Sequence, residues 1–375
     1  MDLEFSAEQE MLREMVRGLC ASASPLEEVR KLEDDAVGYS SEFWNQLTEL
    51  DLIGLMLPTE YGGSGMNALE GVVLYEEFGR ALVPSPHFAS AVMSAGVIDR
   101  AGSEAQRSEW LRRIATGHAI LTPASLEPRA SFGPRGVQTT ATPDGNGFTI
   151  DGEKWHVPFA SAATRLMVLA RTGEADTDID LFLVDPSADG VTLTQQMTIA
   201  SDTQYAVTLT GVRVSESDRV GSVGSGWSTW HATMLDGAVL LAAQAIGGAR
   251  YALEITTQYA KDREQFGKPL GAFQAISHYL ADASTAVEGG TILVHEAAWA
   301  RAEEKSIDRL APMAKLFACR TFRDTTAMAQ QVFGGVGFTL DYDIQLYFRR
   351  AKQLQISWWD DRALEQLVAA TVLDD

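Results

Sequence analysis

The sequence predicts an α+β chain in three parts: an N-terminal α-helical domain, a central β-barrel or sandwich, and a C-terminal four-helix bundle. Three observations predict it. Apolar residues recur at helical spacing over roughly the first third of the chain. From residue 119 the pattern shortens to strands separated by Asp, Gly and Ser. After Trp227 the helical period returns and persists to the C-terminus. These changes of period set the expected domains at 1–118, 119–228 and 229–375.

In the first part, Ser6 followed by Gln9 is a capping-box pattern, and Met11, Leu12, Met15, Val16 and Leu19 follow at helical spacing. Phe43, Leu47 and Leu50 mark a second helix. It stops before Leu57-Pro58-Thr59-Glu60-Tyr61-Gly62-Gly63-Ser64-Gly65, where proline and three glycines force a loop. Helical patterns resume through Leu74, Phe78 and Leu82, and around Trp110 and Leu111. In the middle part, residues 147–154 have strand character running into an Asp151-Gly152 turn, a hairpin signal. Residues 166–170, 179–184, 191–193 and 206–214 read as further short strands. In the last part, residues 235–262 are apolar on nearly every face between 240 and 249, which predicts a buried helix. Phe273, Ile276, Leu280 and Val287 mark a second helix, Leu310, Met313, Ala314 and Phe317 a third, and Leu364, Leu367 and Val368 a fourth. Helices, then strands, then helices rule against a Rossmann βαβ alternation.

With 375 residues and 46% apolar composition, the chain has the material for a large core. Its formal net charge of −21 argues against nucleic-acid or anionic-membrane partners. Cys20 and Cys319 lack metal-ligand or CxxC spacing, and the six histidines form no HxxxH or HxH pair, so neither a disulfide framework nor a metal site is expected. The N-terminus lacks a basic region followed by an apolar one, and no uninterrupted apolar run reaches the roughly 20 residues of a membrane span. A soluble, cytoplasmic protein is the expectation.

Two strings carry the chemistry. Residues 259–274 place Arg263 at the end of an apolar helix, before a break at Gly267 and Pro269. Residues 331–339 set Gly334, Gly335 and Gly337 beside Gln331. A guanidinium grips two phosphate oxygens at once, and bare backbone lets amides approach a ligand closely, so the pair suits the pyrophosphate of a dinucleotide. The alternative for each alone is an ordinary ion-pair residue and an ordinary turn.

Over essentially its whole length the chain resembles the acyl-CoA dehydrogenase family. The segments 57–65, Leu126-Glu127-Pro128, Gly152-Glu153-Lys154, 212–221, Arg263-Glu-Gln-Phe-Gly267 and 331–337 fall in family order at family-like spacings. The resemblance implies an extended FAD across a subunit interface. Arg263 and Phe266 would reach the pyrophosphate region of an FAD held largely by the neighbour, and Gln331, Gly334 and Gly335 would lie along its ADP portion. It also implies α,β-desaturation of an acyl-CoA thioester, on a branched or sterol-derived acyl group in some relatives. Electrons would pass to an electron-transfer flavoprotein, from a homo- or hetero-oligomeric dimer or tetramer.

The chain departs from the family where the chemistry happens. Most members carry a catalytic glutamate about ten residues after a Tyr-Arg-Asp-Ala-Arg stretch; here Phe348-Arg349-Arg350-Ala351-Lys352 leads to Trp358 at that place, and Asp360 and Asp361 read as the start of the last helix. Isovaleryl-CoA dehydrogenase and its relatives place the base on the long helix, at a position matching Gly237 here, with Asp236 adjacent. Asp236 is the candidate base, although one residue is about 100° of helix rotation. The usual Trp-Ile-Thr of the flavin side is replaced by His156-Val157-Pro158, and Leu126 stands where threonine is usual. Loss on the base side with retention on the ADP side also fits a catalytically silent subunit of a heteromeric dehydrogenase. A scaffold that binds thioester alone is the remaining alternative.

Overall fold

The structure is a computed structural model in which residues 4–128 and 131–373 are described. The chain divides into two compact units, one of residues 1–30, 67–83 and 238–375, the other of 31–66 and 84–237.

In the first unit, the Ala7–Ala23 helix begins at a Ser6–Gln9 capping box, as its sequence predicts, and buries Val16, Leu19 and Cys20. It lies against the Ala68–Arg80 helix, whose Glu76 and Glu77 are buried. Two carboxylates are tolerated there because Arg13, Arg250 and His295 face Glu76, and Arg17 binds Glu77 through two nitrogens at 2.7 and 2.9 Å. The long Gly226–Asp262 helix extends well upstream of the expected residue 235. It is long and apolar enough to cross a membrane, yet 83% of its most apolar stretch is buried inside the fold, as in a core helix. Gln274–Ala302, Leu310–Phe333 and Asp361–Leu373 are the other expected helices, and Ile344–Ile356 is a fifth that the sequence pattern did not single out. Polar residues interrupt its apolar positions: Leu346, Tyr347, Ala351 and Leu354 are buried, with Gln345 and Gln355 buried among them.

In the second unit, helices over Ser41–Glu49 and the 88–115 region accompany an eight-stranded sheet. Its strands are β1 Leu121–Ala124, β2 Thr140–Asp144, β3 Gly147–Pro158, β4 Arg165–Arg171, β5 Ile179–Val184, β6 Val191–Gln196, β7 Gln204–Ser215 and β8 Arg219–Val220. They are ordered β6-β7-β3-β2-β4-β5-β8, with β1 pairing parallel to β4. One face packs Phe148, Ile150, Val157, Leu166, Val168, Phe182, Val207 and Leu209 into a single cluster. The expected Asp151-Gly152 turn lies inside β3. The hairpin instead turns at Gly145-Asn146, with Asp144 paired to Gly147. Asp151 accepts from the Gly211 amide at 2.7 Å, and Gly152 sits at a register shift where a Cβ would come within 2.8 Å of Thr139 Cα. The Asp-Gly pair thus serves a bulge rather than a turn.

Candidate functional site

Arg263 follows the last residue of the Gly226–Asp262 helix. Its amide donates to Tyr259 O at 2.8 Å and its carbonyl accepts from Leu270 N at 2.9 Å, so the backbone on both sides is fixed. A small hairpin follows, β9 Glu264–Gln265 against β10 Lys268–Pro269. Its two-residue loop is Phe266-Gly267, with φ of +54° and +77°. Both residues in the left-handed region match the hairpin turn with the right twist, but an aromatic residue rarely adopts it. The result holds the Phe266 ring 93% exposed, touching Phe273 edge-on at 6.2 Å. The Arg263 guanidinium makes no hydrogen bond or ion pair with another described residue.

The second string closes the Leu310–Phe333 helix. Gly334 takes φ +66° and starts a short turn over Gly334–Phe338. A Cβ at Gly334 or Gly335 would meet nothing within 4 Å, so these glycines leave open space beside the backbone rather than relieving a clash within the chain. Gln331 is exposed, whereas its neighbour Gln330 is buried with both amide atoms unpartnered. The two strings meet through aromatic rings: Tyr259 stacks on Phe333 at 4.2 Å, and Tyr342 meets both edge-on. Arg263, Gln331, Gly334 and Gly335 are thereby carried by elements packed together. An unmatched guanidinium, free backbone and an unsatisfied amide fit an anionic, hydrogen-bonding ligand such as the ADP half of FAD.

Candidate base positions are occupied in other ways. Trp358 and Trp359 both adopt positive φ, 53° and 77°. Their loop is held by the buried Lys315 ammonium, which donates to the carbonyls of Leu354, Ser357 and Trp359 at 3.1, 3.0 and 2.9 Å. Asp360 accepts from Ala363 N at 2.9 Å, the capping role its position predicts, and Asp361 binds Arg320 and Gln355, both at 2.9 Å. In the other unit, Asp236 forms an ion pair with Arg100. At Gly237 an added Cβ would lie 2.7 Å from Met93 Sδ and 3.1 Å from Phe88 Cζ, so apolar side chains fill the space that a longer residue would need.

The strand bearing the sequence departures is rigid. Lys154, fully buried, donates to Glu127 at 2.6 Å, and Glu127 also accepts from the amides of Gln138 and Thr139. Pro158 offers only its carbonyl, which accepts from the Thr122 hydroxyl at 2.6 Å. Among the described residues, no group of three or more His, Cys, Asp or Glu is placed to hold a metal.

Family models agree with this architecture along the chain. The N-terminal, middle and C-terminal domains of acyl-CoA dehydrogenase match residues 6–118, 124–212 and 224–358. The chain is 31% identical over 366 residues to the probable acyl-CoA dehydrogenase YngJ of Bacillus subtilis, covering 95% of each. It is 28% identical to the CarC subunit of the caffeyl-CoA reductase-Etf complex of Acetobacterium woodii, covering 98% of this chain and 99% of that one. A variant of the Tcur3481-Tcur3483 steroid ACAD superposes with a TM-score of 0.86 at 31% identity, covering 98% of each chain. The chain belongs to the acyl-CoA dehydrogenase family, oxidoreductases whose members bind FAD.

Proposed function

We propose that the chain works in an FAD-dependent acyl-CoA dehydrogenase that desaturates an acyl-CoA thioester between its α and β carbons, on a branched or sterol-derived acyl group, and passes electrons to an electron-transfer flavoprotein. FAD, when bound, supplies the hydride acceptor. The carrying observation is the unpartnered Arg263 guanidinium, on a hairpin whose Phe266 is strained outward, packed through Tyr259 and Phe333 to open glycines. Arg263 and Phe266 would hold the pyrophosphate region, and Gln331, Gly334 and Gly335 the ADP portion, of a cofactor shared with a neighbouring subunit. Asp236 is the proposed base, which requires Arg100 to release it. Likeness to a steroid ACAD and to a subunit of an Etf complex supports the substrate class and the electron partner. A cytoplasmic oligomer, with domains dividing near 118 and 228, completes the reading.

A second reading is favoured by the Arg100–Asp236 pair and the apolar filling over Gly237: the chain is a silent subunit that grips the ADP half of its partner's FAD. Flavin absorbance separates the two. Protein purified alone with equimolar FAD and turnover supports the self-sufficient enzyme. Colour that appears only on co-expression with a second dehydrogenase chain supports the silent subunit. Colourless protein under both conditions overturns the flavoprotein reading.

A further inference from the structure

His156 sits at the second register shift of β3, between Lys154 and Val157, with φ +55°. Its amide donates to Gln196 Oε1 on β6 at 2.8 Å, and its ring Nδ1 lies 2.8 Å from Gln204 Oε1 on β7. Gln204 is buried, and its Nε2 donates to Asp202 Oδ2 at 2.6 Å. Asp202 Oδ1 in turn accepts from the Thr198 hydroxyl at 2.5 Å. The chain of donors has one direction. A carboxylate only accepts, so the Gln204 nitrogen faces Asp202 and its oxygen faces the imidazole. The proton of neutral His156 is therefore on Nδ1, and the exposed Nε2 is left as an acceptor. Trp155 stands edge-on to the imidazole at 6.2 Å, its own N–H committed to Glu153 at 2.6 Å. Glu153 and Asp202 are the charged groups tied to this cluster, and Gln196, Gln204 and Thr198 its neutral polar partners.

A side chain in a strained backbone, with its ring fixed by two further residues and one nitrogen presented outward, is built for a ligand rather than for the fold. We propose that His156 is a cofactor-facing hydrogen-bond acceptor, held in the Nδ1–H form by Gln204 and Asp202, for an N–H group of a flavin ring. This rests on the flavoprotein reading above. The isoalloxazine N5 carries a hydrogen only when the ring is reduced, so an acceptor there holds the reduced form more tightly than the oxidised one. Gln204 and Asp202 act through His156 and are positioning residues.

Two measurements test it. Nitrogen-15 NMR of the full chain without cofactor reads the tautomer directly. The expected result is Nδ1–H for wild type and a mixture in Gln204→Leu and, as a milder change, Asp202→Asn. An Nε2–H imidazole in the wild type overturns the lock. In the flavin-loaded protein, His156→Phe is expected to weaken reduced relative to oxidised flavin about tenfold, which lowers the midpoint potential by about 30 mV. An unchanged potential overturns the contact. Wild-type protein that never takes up flavin defeats the parent reading instead, a result distinguishable because it does not depend on the variant.

Discussion

Tyr259 stacks on Phe333 with ring centroids 4.2 Å apart and planes 18° from parallel. The contact joins the helix that ends at Arg263 to the helix that ends at Gly334. Phe333→Ala is expected to cost about 3–5 kcal/mol of stability and to weaken FAD binding at the same time. Urea unfolding and flavin titration read the two effects. Lost stability with unaltered flavin affinity contradicts the coupling of the strings.

Asp236→Asn tests the base. Removing a general base lowers turnover by about a hundredfold or more, while flavin content stays the same. Full turnover in the variant assembly assigns the base to another residue or another chain. Gly237→Glu, which crowds Met93 and Phe88, is expected to destabilise by about 1–3 kcal/mol.

The Lys154–Glu127 pair predicts a pH effect. Burial pushes the Lys154 ammonium from 10.5 down to about 8, against the opposing pull of Glu127. Between those values the unfolded chain holds a proton that the folded chain has released, so this lysine's contribution to stability rises with pH across the window. Lys154→Met leaves Glu127 buried without its partner and is expected to cost about 3–5 kcal/mol at neutral pH. Denaturant midpoints of wild type and variant at pH 7, 8 and 10 check both points; the gap should widen from 8 to 10.

Lys315 holds the Trp358–Trp359 loop through three carbonyls. Lys315→Met leaves them without their donor, at about 1–3 kcal/mol for each buried group. Tryptophan fluorescence should shift as the two left-handed residues relax, and amide exchange at 357–360 should accelerate. Unchanged exchange removes Lys315 from this role.

Much of the fold was legible in residue periodicity. Ser6–Gln9 capping, the strands over 179–184 and 206–214, and the long apolar helix all follow from local pattern. The Asp151-Gly152 turn was misplaced because the same dipeptide suits a bulge, and only the pairing with Gly211 and Thr139 decides between them. The strings around Arg263 and Gly334 were legible, but the Tyr259–Phe333 stack that unites them joins residues far apart in sequence. Arg100 on Asp236 was likewise invisible, since an ion pair across 136 positions leaves no local signal. The relay through His156, Gln204 and Asp202 depends on neighbouring strands and needed their register.

The central claim is that Arg263 grips the cofactor's pyrophosphate, and FAD affinity of the assembled protein tests it most directly. One charge-assisted phosphate contact is worth about 1.5–3 kcal/mol, so Arg263→Ala should weaken FAD binding by about 10- to 150-fold, with the protein still folded. The same affinity in variant and wild type contradicts the account.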